Sequence, residues 1–357
     1  MSTEVSYTMI NNSDRNIVAV IATYRNSFAI WNCMRQHIDL MLQAGSNVFI
    51  YISNLENAEY IQEEYEPCII HYNSKRDLKI KIQKQNVNTI WYSDVVSTLK
   101  YGRLGTHSRV LTWIQGTIPD ESFLRYKSYL KKWILETIEY FAFKFADGFV
   151  LVSDSMRDYY EKKYGFQFKN YIVIPCLSDF HDYIPAGKRV ENSYVYIGGM
   201  SEWQCFDRIV ELYAQIRTRG SVFHVITMEK EKAEQIILSK LGDKNNISIY
   251  SITDRQRIPE ILSTFQFGFL IREESPVNYV SSPIKFLEYL SCGVNVIMTD
   301  TIPAYSKLVM ANKIGTVVPY GLSEGIAINN FSPNARQVYL DNFDKEHFIA
   351  AYKSILN

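Results

Sequence analysis

The segment Ser281-Ser282-Pro283-Ile284-Lys285-Phe286-Leu287-Glu288-Tyr289-Leu290-Ser291-Cys292-Gly293 constrains this chain most, because both of its ends are chemically specified. Ser282 is a preferred N-cap, Pro283 fits a first helical turn and Gly293 suits a left-handed C-cap, so the segment predicts a short helix. The run Phe265 to Ile271 before it and Val294 to Met298 after it are strand-like. Together they form a strand–loop–helix–strand unit of a parallel sheet. Helices of such units open at the carboxyl edge of the sheet, where ligands bind.

The start of that helix is suited to an anion. The amides of Ile284 and Lys285 lie in the first turn without intrahelical partners, and the helix dipole adds partial positive charge there. Lys285 and Glu288, three residues apart, share a face. Free amides with Lys285 on the phosphates, and Glu288 accepting from ribose hydroxyls, would suit a nucleoside diphosphate. A surface salt bridge between Lys285 and Glu288 accounts for the same spacing.

The pattern Ser-Pro-x-Lys-x-x-Glu-Tyr-Leu-x-Cys-Gly over 282–293 resembles the nucleotide-sugar segment of GT-B glycosyltransferases, in particular the retaining family 4. The resemblance implies an α/β chain of GT-B type. Two Rossmann-like domains face a cleft, and a C-terminal helix crosses back to the N-terminal domain. It also implies that Glu288 binds the donor ribose. Family 4 usually carries a second glutamate eight positions earlier, where this chain has Val280, so the nearer likeness is to an atypical subgroup reading Arg…Pro-x-Lys-x-x-Glu-Tyr. In that subgroup Arg272 and Lys285 would contact the phosphates and stabilise the leaving group. No side-chain nucleophile, metal or cofactor is implied, the nucleotide sugar being a substrate.

The rest of the chain alternates strand and helix patterns. Asn16 to Ala22 reads as a first strand, followed by a turn with Arg25 and Asn26 and a helical pattern from Ala29 to Gln43. The turn lacks Gly-x-Gly-x-x-Gly, which argues against a dinucleotide site. Arg25 and Asn26 stand where a cleft can touch the acceptor, or simply form a polar connection. Val110 to Ile114 reads as a strand ending in Gln115-Gly116. Gly116 permits close backbone approach, Gln115 can hydrogen-bond sugar hydroxyls, and the loop resembles the acceptor side of the same subgroup. One long helix is expected from Pro119 to Phe145.

Periodicity lapses between Cys176 and Asn192. The expected organisation is therefore an acceptor-side domain at 1–175, a linker at 176–192, a donor domain at 193–333 and C-terminal helices at 334–357. Near the start of the donor domain, Gly198-Gly199 ends a strand and can approach a pyrophosphate. Family 4 commonly has Arg and Lys shortly after this glycine, whereas Ser201, Glu202, Trp203 and Gln204 stand here.

Composition narrows the partners. The 357 residues, 47% of them hydrophobic and 21% charged, suit two ordinary globular domains. Lys+Arg and Asp+Glu both number 38, which gives no argument for nucleic acid. Five scattered cysteines without Cys-x-x-Cys fit reduced thiols, and six histidines without ligand spacing give no metal site. Met1 to Arg15 lacks the apolar core of a secretion signal, and no apolar run approaches the roughly 18–20 residues of a membrane span. The expected location is cytoplasmic. Arg125 to Trp133 interleaves four cations with Tyr126, Tyr129 and Trp133, the composition of a peripheral contact with anionic lipid at the inner membrane face. A solvated helix with its aromatic residues in the core fits the same stretch.

Three functions remain open at this level. The first is a retaining glycosyltransferase of surface polysaccharide synthesis, moving a sugar from a nucleotide-diphosphate sugar to a glycan or lipid-linked acceptor. The second is a catalytically silent nucleotide-sugar or glycan-binding protein, and the third a GT-B nucleotide-sugar epimerase.

Overall fold

A computed structural model describes residues 16–22, 28–54, 63–185, 187–321 and 324–357. The first half begins β1 (Ile17–Ala22), α1 (Phe28–Gln43), β2 (Asn47–Ser53), β3 (Ile69–Tyr72), α2 (Lys75–Lys84) and β4 (Thr89–Tyr92). It continues with α3 (Val95–Tyr101), β5 (Arg109–Ile114), α4 (Ile118–Tyr126), α5 (Tyr129–Phe145), β6 (Gly148–Leu151), α6 (Asp154–Tyr164) and β7 (Tyr171–Val173). The second half begins β8 (Ser193–Ile197), α7 (Phe206–Ile216), β9 (Val222–Ile226), α8 (Lys230–Leu241), β10 (Ile247–Tyr250), α9 (Ile258–Leu262) and β11 (Phe267–Leu270). It closes with α10 (Pro276–Val280), α11 (Ile284–Ser291), β12 (Asn295–Thr299), α12 (Pro303–Asn312), β13 (Gly315–Val318), α13 (Ala335–Asn342) and α14 (Lys345–Leu356).

Two parallel sheets result. The seven-stranded sheet has the order β3-β2-β1-β4-β5-β6-β7 and the six-stranded sheet β10-β9-β8-β11-β12-β13. Strands such as β1, β4 and β12 are buried at nearly every residue, which explains their continuous apolar sequences: helices cover both faces of a parallel sheet. Each order reverses once, between β1 and β4 and between β8 and β11. The connections leave in opposite directions at those points and open a crevice at the carboxyl ends.

The C-terminal helix α14 returns to the first half and packs on α1 and β7. Its Tyr352 hydroxyl meets His37 Nδ1 at 2.8 Å, with the imidazole 4.4 Å from the Trp113 ring. Complete burial lowers the His37 pKa to about 3, so the ring is neutral at physiological pH.

The long helix expected from Pro119 to Phe145 is two helices. Lys127 takes a left-handed conformation (φ 51°) that ends α4, and Ser128 caps α5 by accepting from Lys131 N–H. No glycine or proline marks the break. Lys132 reaches back to Asp120 at 2.7 Å and the Tyr129 ring lies 4.6 Å from that of Phe123, so the two helices pack on each other. The aromatic residues of this stretch are on the surface, with Tyr129 78% and Trp133 64% exposed.

Helix α10 seats the second half on the first. Val280 is fully buried in the apolar cluster of the first half that includes Val95, Ile114 and Leu151. Ser153 Oγ donates to Val280 O at 2.8 Å. A glutamate here would bury an unpaired carboxylate, which gives a physical reason for valine at this position.

Candidate functional site

Helix α11 is buried from Lys285 to Ser291. Phe286, Leu287, Tyr289 and Leu290 are completely buried, which contributes on the order of 6–12 kcal/mol at about 1.5–3 kcal/mol per large apolar side chain. That packing holds two charged side chains, Lys285 and Glu288, out of bulk water. They do not pair with each other, so the surface salt bridge is excluded as their role. Tyr289 ties the helix to the glycine turn, because its hydroxyl accepts from Ile197 N–H at 3.2 Å.

Ser282 does not cap α11. The cap residue is Pro283, and the Ser282 hydroxyl instead accepts from Cys176 N–H at 2.9 Å and meets the Tyr305 hydroxyl at 2.6 Å. Its hydroxyl thus holds the segment after β7 against the helix start. The amides of Ile284 and Lys285 precede the first intrahelical bond, made by Phe286 N–H to Pro283 O, and remain at the open end. Gly293 is left-handed (φ 71°), as a C-terminal glycine should be.

Lys285 and Arg272 converge. Lys285 Nζ donates to Gln204 Oε1 at 2.8 Å, and Arg272 Nη1 donates to the same oxygen at 2.8 Å and to Trp203 O at 3.3 Å. Lys285 also stands 4.4 Å over the Tyr196 ring. Neither cation makes an ion pair among the described residues. Burial, then the Arg272 charge, holds the Lys285 pKa well below its usual range, and burial lowers that of Arg272. Two buried like charges sharing one neutral amide oxygen make a site short of negative charge.

Gly198 lies against this pair. It has φ 149°, and a Cβ there would come within 2.7 Å of Lys285 Nζ, so only glycine leaves the ammonium in place. Gly199 is adjacent, and its carbonyl accepts from the Tyr196 hydroxyl at 2.6 Å. Gly198 and Gly199 follow β8 while Arg272 follows β11, the two strands that flank the reversal of the second sheet. Gln204, which stands where the likeness to family 4 would put a cation, supplies the acceptor that organises both cations.

Glu288 is engaged elsewhere. Its Oε1 takes Arg255 Nη2 at 2.5 Å, and Arg255 Nε reaches Asp179 Oδ2 at 3.2 Å. Asp179 in turn accepts from Asn32 at 2.8 Å, Gln36 at 2.8 Å and Arg35 at 3.0 Å, all on α1. The carboxylate intended for ribose is thus one end of a polar chain running into the first half. Burial raises its pKa, and the Arg255 charge opposes that shift. Arg255 and Asp179 have no motif in the sequence that would reveal them.

On the other side of the junction, Gln115 Nε2 donates to Ser93 O at 3.1 Å and Gly116 O accepts from Tyr160. Both line a cavity of about 350 Å³ at the carboxyl ends of β4 and β5. His107 is exposed at the amino end of β5, the opposite edge from the crevice. Arg25 and Asn26 lie outside the described residues.

No protein-family model matches the sequence, and no curated protein matches it. Solved structures do match in fold. The lipopolysaccharide outer core galactosyltransferase WaaB in its apo form aligns over 95% of this chain and 99% of its own, at 12% identity and a TM-score of 0.67. Sucrose-phosphate synthase from Thermosynechococcus elongatus aligns over 96% and 95%, at 14% identity and a TM-score of 0.60. The pneumococcal O-GlcNAc transferase GtfA, solved with UDP and GlcNAc, aligns over 96% of each chain, at 7% identity and a TM-score of 0.59. These likenesses, with the two parallel sheets and the returning helix α14, identify the GT-B fold.

Proposed function

We propose, from a chain of GT-B fold, that this protein is a retaining glycosyltransferase. It moves a sugar from a nucleotide-diphosphate sugar to a glycan or lipid-linked acceptor, as in surface polysaccharide synthesis. The observation that carries the reading is the pair of buried cations, Arg272 and Lys285, sharing Gln204 Oε1 beside Gly198 and the open start of α11. A diphosphate answers that deficit: its oxygens replace the amide oxygen and take the free amides of Ile284 and Lys285. As the bond from the anomeric carbon to the diphosphate oxygen breaks, its electron pair goes to the diphosphate, while the acceptor hydroxyl oxygen bonds the anomeric carbon and its proton passes to the departing diphosphate. The two cations act on the negative charge that develops there. Gly199 continues the glycine turn and Pro283 caps α11, and Glu288 accepts from the ribose hydroxyls through the oxygen that Arg255 does not hold. Arg25, Asn26, Gln115 and Gly116 are assigned to the acceptor side.

A peripheral membrane role for α5 belongs to the same reading. Tyr129, Leu130, Trp133, Ile134 and Phe141 expose apolar surface, and Arg125, Lys127 and Lys131 border it. Lys132 is held by Asp120 and contributes less. Among the described residues no helix is long and apolar enough to cross a membrane. Flotation with phosphatidylglycerol vesicles should bring the protein up, and Tyr129→Ser with Trp133→Ser should leave it at the bottom.

The central test is a thermal-shift panel of UDP, GDP, ADP, CDP and TDP against the matching nucleosides, followed by nucleotide sugars with glycan and lipid-linked acceptors. One nucleoside diphosphate should stabilise the protein, and transfer should yield a product with the donor's anomeric configuration by NMR. Epimer formation or binding without turnover would replace the transferase reading with one of its two rivals.

A further inference from the structure

Glu288 is a buried carboxyl group whose surroundings decide how well it can accept a hydrogen bond. Burial is the largest influence on its ionisation and raises its pKa. A protonated carboxyl is a poorer acceptor for a ribose hydroxyl than the carboxylate is. Among the charged groups around it, Arg255 and Lys285 favour the carboxylate and Asp179 opposes it. Tyr289 and Cys292 are its titratable neighbours at α11, and burial keeps both neutral. Arg255 makes the direct contact, from Nη2 to Glu288 Oε1 at 2.5 Å.

Arg255 is itself held from several directions. It opens the turn Arg255–Arg257 after β10, which Asp254 caps by accepting from Gln256 N–H at 3.0 Å. Its Nε donates to Asp179 Oδ2 at 3.2 Å, and the guanidinium stands 5.4 Å over the Phe180 ring. Asp179 is fixed in turn by Asn32, Gln36 and Arg35 of α1. A guanidinium presents its donors in a rigid planar fork, so bonding two carboxylates through different nitrogens sets its orientation. In that orientation Arg255 occupies Oε1 of Glu288 and leaves Oε2 to accept from a ligand.

We propose that Arg255 is a positioning residue for donor recognition: fixed by Asp179 and Phe180, it aims the Glu288 carboxylate so that Oε2 meets the ribose hydroxyls, without itself touching the nucleotide. The inference rests on the reading of Glu288 as the ribose acceptor. The charge of Arg255 also keeps Glu288 ionised against the effect of burial. Lysine at this position would keep the charge, but an ammonium has no planar fork with which to hold two carboxylates in fixed geometry.

The test is calorimetry on the full chain with UDP and inorganic pyrophosphate between pH 5 and pH 8. Arg255→Gln should weaken UDP about tenfold at pH 7 and leave pyrophosphate unchanged. Because loss of the cation lets the Glu288 pKa rise further, the UDP deficit should widen as pH falls, with no such widening for pyrophosphate. Arg255→Lys should restore the wild-type pH profile and regain part of the affinity. In a Glu288→Gln background, Arg255→Gln should cost no further UDP affinity; this comparison stands even where Arg255→Gln alone folds poorly, because the double variant leaves no unpaired carboxylate on α11.

Equal losses for UDP and pyrophosphate, or a further loss in the Glu288→Gln background, would mean that Arg255 meets the ligand directly and would overturn the proposal. A lowered Tm with UDP affinity unchanged would overturn it too, leaving Arg255 a structural role. If Glu288→Gln weakens UDP and Arg255→Gln does not, the positioning role falls alone. If Glu288→Gln leaves UDP affinity unchanged, the ribose reading falls and takes this inference with it.

Discussion

Lys285→Met tests the central claim, because the claim gives it opposite effects on stability and on binding. The ammonium is buried beside Arg272 with only Gln204 Oε1 and the Tyr196 ring as partners. Met keeps the unbranched stem and removes the charge. Replacing a buried charge that lacks a counterion should stabilise the ligand-free protein by about 2 kcal/mol, a Tm rise of roughly 4–8 °C. The variant should bind UDP roughly 10- to 150-fold more weakly, the equivalent of one hydrogen bond to a charged group at about 1.5–3 kcal/mol.

The pH dependence has a definite sign. With the Lys285 pKa lowered in the folded state, the unfolded chain holds more protons between that value and 10.5. Wild-type stability should therefore rise with pH across that window, and the Met variant should lack this component. UDP favours the charged lysine, so wild-type affinity should fall as pH rises through the lowered pKa. Scanning fluorimetry and titration calorimetry with UDP and uridine measure both effects. A Met variant that is less stable than wild type and binds UDP equally well would refute the reasoning.

Glu288→Ala should weaken UDP about tenfold while sparing inorganic pyrophosphate, as calorimetry can read, because the lost contact is to ribose; equal losses for both ligands would move Glu288 into the phosphate site. Val280→Glu places a carboxylate in the apolar junction with Val95 and Ile114, and should cost about 2–4 kcal/mol in urea denaturation without improving UDP affinity. His37 contributes stability that is present above pH 6.5 and lost as pH falls toward about 3. At about 1.36 kcal/mol per pH unit this amounts to roughly 3 kcal/mol between pH 7 and pH 4, a slope that His37→Gln should flatten.

What the sequence determined by itself is the architecture and the position of the helix start. Continuous apolar runs separated by helical patterns demand a parallel sheet covered on both faces, because period and polarity are local properties of the chain. Gly293 declared the end of α11 through its backbone freedom alone. The capping of α11 was less legible: Ser282 has the right chemistry for a cap, but a backbone amide from the first half claims its hydroxyl. The break at Lys127 was hidden too, since a left-handed lysine carries no local signal and the contacts across the break, such as Lys132 on Asp120, form only once both helices are in place.

Only the tertiary structure decided which charges meet. Arg272 and Lys285 could be named from their pattern, but Gln204, which gathers them, lies 68 and 81 residues away. Arg255, 33 residues before Glu288, carries no motif that pairs the two. Val280, which breaks the family pattern, gains its reason from the apolar surface of the other half. Local order follows from interactions a few residues apart, whereas these partnerships arise when helices from both halves are brought to one crevice and water is excluded from between them.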